Sequence, residues 1–173
     1  MSIWGKIIGG TAGFAIGGPL GAILGVMAGN VFDRSKKTKF NFNQISNQQK
    51  QNIFALSIII LSAKIAKSDG VVTKDEIIAF KEKFKIPQTE MSQVAKIFDE
   101  AKKSKFGYEK IADQIGMLFS DNKLMLEELL NNLFFIAEAD GNISVSEIEV
   151  LKSISQSFNL REKDFQRIFN SRL

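Results

Sequence analysis

The chain contains no cysteine and no histidine. Without cysteine there are no disulfides, no thiolate metal sites and no cysteine nucleophile. Without histidine the usual general base, the Ser-His triad and most zinc sites are excluded. Nor is there a glycine-rich phosphate loop, so catalysis is not expected of this chain. Only two prolines occur among 173 residues, and no run of alternating β-branched residues is present, which points to an all-helical protein. One Trp and one Tyr stand against fifteen Phe, the composition of an apolar core with few polar aromatic tips. Basic excess is also scarce over most of the length. Residues 1–48 carry five basic side chains and one acidic one, whereas residues 49–173 carry 18 of each sign, so the net charge of +4 belongs to the amino-terminal part. Nucleic acid is therefore not an expected partner.

What the chain has in abundance is glycine at one end. After Lys6 no charged residue occurs until Asp33, an interval of 26 residues. At about 1.5 Å rise per residue this is long enough to cross a bilayer core with some tilt. Gly5, Gly9, Gly13, Gly17, Gly21, Gly25 and Gly29 recur at every fourth position. In water so many glycines would weaken a helix by about 1 kcal/mol each relative to alanine. In lipid the backbone must satisfy its own hydrogen bonds, and a stripe of missing side chains becomes a groove that a second helix can enter. Residues 1–32 are accordingly expected to be a glycine-zipper transmembrane helix that self-associates into a homodimer, kinked at Pro19. A re-entrant hairpin broken at Pro19 and a cleaved signal peptide are the competing interpretations. Arg34, Lys36, Lys37 and Lys39 follow the span, and only Lys6 precedes it. The positive-inside rule then places the carboxy-terminal part in the cytoplasm and the amino terminus outside. Residues 33–48 form a basic juxtamembrane linker that either lies on anionic headgroups or is a solvated tether.

Residues 49–173 are of a size for one domain. A first helix is expected from about Gln48 to Lys67, apolar nearly all round between Phe54 and Ala66; with Lys64 inside, it is too short to span and reads as the buried helix of a bundle. A second runs from about Lys74 to Phe84 with Ile77, Phe80 and Phe84 inward, stopping before Pro87. A third, capped by Thr89, reaches Lys103 with Met91, Val94, Ala95, Phe98 and Ala101 inward. Gly107 separates it from a fourth at 108–119, Asp121 caps a fifth at 122–139, and the last two occupy about 145–158 and 161–171. Seven helices with short connections make a bundle.

The bundle repeats itself. Ile65-Ala66-Lys67-Ser68-Asp69-Gly70-Val71-Val72-Thr73-Lys74-Asp75-Glu76-Ile77 matches Ile136-Ala137-Glu138-Ala139-Asp140-Gly141-Asn142-Ile143-Ser144-Val145-Ser146-Glu147-Ile148 at an offset of 71 residues. Phe84-Lys85-Ile86 and Phe158-Asn159-Leu160 end the two units alike. Two helix–loop–helix units with an approximate two-fold relation follow. Two accounts of the loops stand side by side. In the first, Gly70 and Gly141 end helices in the left-handed conformation, Thr73 and Ser144 are N-caps, Glu76 and Glu147 close capping boxes, and Val72 and Ile143 are staples. In the second, Asp-Gly-x-Val/Ile-Thr/Ser-x-x-Glu is the second half of a calcium loop whose first half is missing. Two such halves would pool Asp69, Glu76, Glu138, Asp140 and Glu147 around Ca²⁺ or Mg²⁺.

The paired Ala-x-x-Asp-Gly-x-Val/Ile-Thr/Ser-x-x-Glu motifs in an all-helical domain resemble the TerB family, named for tellurite resistance. The amino-terminal stretch, Trp4-Gly5-Lys6-Ile7-Ile8-Gly9 through Gly25 and then Ala28-Gly29-Asn30-Val31-Phe32-Asp33, resembles the anchor of DjlA-type membrane co-chaperones. The resemblance implies a single-pass bacterial inner-membrane protein with a cytoplasmic TerB-like domain, a chaperone-system or stress-response partner, and metal binding at Asp69, Glu76, Asp140 and Glu147. Co-chaperones of this type stimulate the ATPase of DnaK through a J domain bearing His-Pro-Asp. This chain has no histidine, so that activity is not expected of it. The leading expectation is an interaction protein at the inner membrane, in chaperone or envelope-stress work. The alternative is a divalent-metal-binding stress-response module.

Overall fold

The computed structural model describes residues 47–69, 74–103, 107–139 and 141–172. The anchor, the linker up to Ser46 and the loop from Gly70 to Thr73 lie outside the described residues, as does Asp140. Among the described residues seven α-helices follow in order: α1 (Asn47–Asp69), α2 (Lys74–Lys83), α3 (Met91–Lys103), α4 (Tyr108–Leu118), α5 (Lys123–Ala137), α6 (Val145–Ser157) and α7 (Glu162–Asn170). A 3₁₀ turn, Gln88–Glu90, leads into α3. No strand occurs among the described residues.

α1 is the axis of the bundle. From Ile53 to Ala66 every side chain except the half-buried Phe54 is buried. A helix that is apolar on all sides has no solvent face to offer and must be surrounded. Here α3, α4, α5 and α6 all pack against it. α2 and α7 lie outside this shell, each against α5. The seat of α7 is aromatic: the Phe134 ring on α5 lies 5.6 Å from that of Phe165 and 5.9 Å from that of Phe169, within the range where tilted rings attract. No helix among the described residues is long and apolar enough to cross a membrane.

α4 meets α6 at Gly116. A Cβ built there would lie 2.5 Å from the backbone oxygen of Ser157, so only glycine permits this approach. At the start of α5 the cap is Asn122, whose side-chain oxygen accepts from Met125 N, and not the expected Asp121. Asn122 sits one residue closer, where its oxygen meets the free amide three positions on. Thr89 likewise does not cap α3, because it lies within the 3₁₀ turn that precedes it. Pro87, extended at ψ 142°, sets up that turn without any side-chain cap. Two inward assignments also change. Ile77 is 47% exposed on α2 and Ala95 is exposed on α3, while Ile97, not counted inward, is buried.

The two repeat units end in the same way. Ile86 N donates to Lys81 O and Lys85 N to Glu82 O; Leu160 N donates to Ser155 O and Asn159 N to Gln156 O. Both are Schellman closures, with the left-handed residue at Lys85 (φ 49°) and Asn159 (φ 56°). The apolar residue that follows, Ile86 or Leu160, is buried in each. Asparagine tolerates this conformation better than lysine does. Replacing Lys85 with Gly is therefore expected to stabilise the domain by about 0.5–1 kcal/mol, and Asn159→Gly by less. Urea denaturation followed by circular dichroism measures both; an equal or reversed order would contradict the assignment.

Candidate functional site

Of the two repeat loops, the second lies within the described residues apart from Asp140. α5 runs out at Ala137, and Gly141, at φ 92°, turns the chain in a conformation that disfavours any side chain. Ser144 caps α6: Glu147 N donates to its hydroxyl oxygen at 3.2 Å. In return Ser144 N donates to the Glu147 carboxylate at 2.8 Å. This is the capping box expected from the spacing. Ile143 packs against the core at the staple position. Glu147 is itself buried, so its carboxylate is committed to the helix end.

Glu138 is committed as well. The Arg172 guanidinium, close to the carboxy-terminal end, pairs with the Glu138 carboxylate. It also donates at 2.7 Å to both the backbone and side-chain oxygens of Asn131, and lies over the Phe134 ring at 5.6 Å. Of the five acidic residues expected to pool around a cation, Glu138 and Glu147 are thus placed in two separate structural contacts. The side chains of Asp69 and Glu76, and the whole of Asp140, lie outside the described residues. Among the described residues no group of three acidic side chains converges.

What the repeat does bring together is apolar. A cleft of about 230 Å³ opens between α1, α2, α3 and α5. Its floor is built from residues that correspond at the 71-residue offset: Ser62 with Leu133, Ile65 with Ile136, and Ala66 with Ala137. The cleft therefore lies at the seam where the two units meet. α2 closes one side with Ile77 and Phe80, and α3 the other with Met91, Val94 and Phe98. The cleft escapes a reading of acidic motifs, but the repeat itself carried a signal, since Ile-Ala opens both matched segments.

Electrostatics are concentrated elsewhere, at the start of α7. The Asp164 side chain is only 6% exposed. It accepts from Arg161 Nε at 2.9 Å and from Arg161 N at 3.3 Å, and pairs with Lys123 Nζ on α5 at 3.0 Å. These hydrogen bonds from Arg161, then that from Lys123, hold the Asp164 carboxyl far below the usual carboxylate range. Arg167 adds a 2.8 Å contact to Glu127 of α5. The cluster is a clasp that fixes α7 on α5.

An all-helical, two-unit bundle with an apolar seam defines the class. Residues 55–170 match the family model for the tellurite resistance protein TerB, and the chain belongs to the TerB family. Residues 1–49 match the model for the co-chaperone DjlA transmembrane domain, so a membrane anchor and a TerB domain lie end to end. Relatives called co-chaperone protein DjlA include those of Legionella pneumophila, 29% identical over 87% of this chain and 53% of the relative, and Photobacterium profundum, 26% identical over 95% of this chain and 64% of the relative. That of Coxiella burnetii is 23% identical over 96% of this chain and 65% of the relative. The chain thus spans between half and two thirds of the length of these relatives. No solved structure matches it.

Because Asp164 has a depressed folded-state value, its contribution to stability is fully present above the unfolded carboxyl value of about 4 and is lost as the pH falls below that. The stability gap between the parent protein and Asp164→Asn is expected to be full at neutral pH and to close on acidification through this window. Urea midpoints measured from neutral to strongly acid pH check this; a gap that stays constant would remove the charged clasp.

Proposed function

We propose that this protein is a membrane-anchored interaction protein whose TerB domain recruits partners at the bacterial inner membrane, in the manner of the DjlA-type co-chaperones. The observation that carries this reading is the end-to-end arrangement of the two family matches, anchor then TerB domain, across nearly the whole chain. Its relatives are named as co-chaperones, which favours a binding role over an enzymatic one. Arg34, Lys36, Lys37 and Lys39 support a cytoplasmic position for the domain, next to anionic headgroups. The glycine repeat supports homodimerisation through the anchor, since small residues at every fourth position let two backbones approach. The capping and pairing roles of Glu147 and Glu138 weigh against the alternative of a metal-responsive module, because a cation would have to compete with a helix end for one and with Arg172 for the other.

The dimer is tested by replacing Gly13, Gly17 and Gly21 together with Ile. Chemical crosslinking in native membranes is expected to fall by about tenfold, equivalent to roughly 1.4 kcal/mol; unchanged crosslinking would remove self-association through this face. The metal alternative has its own readout. Titrating millimolar Ca²⁺ or Mg²⁺ is expected to leave the melting temperature where it is, whereas a ligand binding the folded state alone would raise it progressively with concentration.

A further inference from the structure

The apolar cleft at the repeat seam has features that a packing defect lacks. Ser62, on the buried axis helix, lines it with a hydroxyl that is buried and has no hydrogen-bond partner. A buried donor left unmade costs about 1–3 kcal/mol, so an acceptor arriving in the cleft would recover free energy there. The cleft is also long and has a direction. Met91, Val94, Phe98 and Lys102 follow one face of α3, and the rise from Met91 to Lys102 is about 16 Å. One end is apolar, with a methionine that adapts to irregular shapes. The other carries both Asp99 and Lys102, and neither forms an ion pair among the described residues. Glu147 also reaches the wall, but its carboxylate is already engaged at Ser144.

We infer that this cleft binds a short, extended, apolar peptide segment of a partner protein. The mixed charge at its mouth decides the class of ligand. A carboxylate headgroup would meet Lys102 but be opposed by Asp99, whereas a polypeptide backbone offers a C=O to Lys102 and an N–H to Asp99. The Ser62 hydroxyl supplies a further donor for a peptide carbonyl. At about 3.3 Å per extended residue the cleft accommodates roughly five residues, with apolar side chains entering between α2 and α3. The inference rests on the interaction reading above, yet peptide binding and membrane self-association are measured separately, so either can fail alone.

The test uses the full chain in lipid nanodiscs and a fluorescein-labelled decapeptide with a Leu/Ile/Phe centre flanked by Gly and Ser, followed by anisotropy. Saturable binding is expected. Ala95→Trp, at an exposed position on the cleft wall, is expected to weaken it about tenfold by filling the space. Ser62→Ala is expected to weaken it severalfold without lowering the melting temperature, because the hydroxyl it removes has no partner in the unliganded fold. Leu124→Ser, outside the cleft, is expected to leave binding unchanged. Absence of saturable binding, or equal binding by the Ala95→Trp variant, would overturn the inference. So would a cleft that ignores the peptide and binds fluorescent dodecanoate instead, which would assign it to amphiphiles.

Discussion

Burial of α1 on every side is the constraint from which the rest of the bundle follows. Fourteen consecutive residues, Ile53 to Ala66, include only one, Phe54, that is not buried. Each large aliphatic side chain taken out of water is worth about 1.5–3 kcal/mol, so no arrangement that leaves a face of this helix exposed can compete. Surrounding one helix takes several others, and four do so here. That requirement explains the bundle's layering: the sheath helices α3 to α6 each present one apolar stripe inward, while α2 and α7 finish the outside of α5. It also explains why Gly116 matters, since α4 and α6 cannot both reach the axis helix unless their own backbones come within a Cβ of each other.

The internal repeat is how the sequence achieves this with a short set of instructions. Each unit is an apolar helix followed by an amphipathic helix and a Schellman closure ending in a buried apolar residue. α6 is three residues longer than α2, close to one helical turn, so the closures at Lys85 and Asn159 are not at the same offset as the loops, although their hydrogen bonds are identical. Adding nearly a whole turn keeps the inward face inward. The two units are therefore alike in their ends and free to differ in length between them, and the difference leaves α2 shorter beside the seam.

Much of this was legible in the residues themselves. The seven helices appear from periodicity and from breaks at glycine and proline. The capping box at Ser144 and Glu147 appears from its spacing alone, because both partners of a reciprocal bond are specified by residue type. What failed was choice between neighbours. Asp121 and Asn122 are both good caps, and only the path of the preceding turn decides which oxygen meets the free amide. Thr89 looks like a cap until Pro87 winds the backbone into a 3₁₀ turn around it. Ile77 belongs to the apolar face of α2, but α2 lies on the outside of the bundle beside an open cleft, so an inward-pointing residue need not be covered. Periodicity reports which side of a helix is apolar; it does not report whether a neighbour is there to fill it.

That distinction bears on where function lies in a fold of this kind. The two acidic residues of the expected cation set that lie within the described structure are satisfied by local partners, Glu147 by a helix end and Glu138 by Arg172, and Asp164, which the sequence did not single out, is satisfied by Arg161 and Lys123. A group whose bonds are already made has little free energy left to offer a ligand, because binding must first break what is there. The opposite holds at the seam. Ser62 is a plain residue in an apolar run, conspicuous neither by type nor by spacing, and yet it lines the cleft with a buried hydroxyl that has no hydrogen-bond partner. An unmade bond lies where the two units meet, whereas in the second unit the Ser144–Glu147 motif is spent on closing the start of a helix.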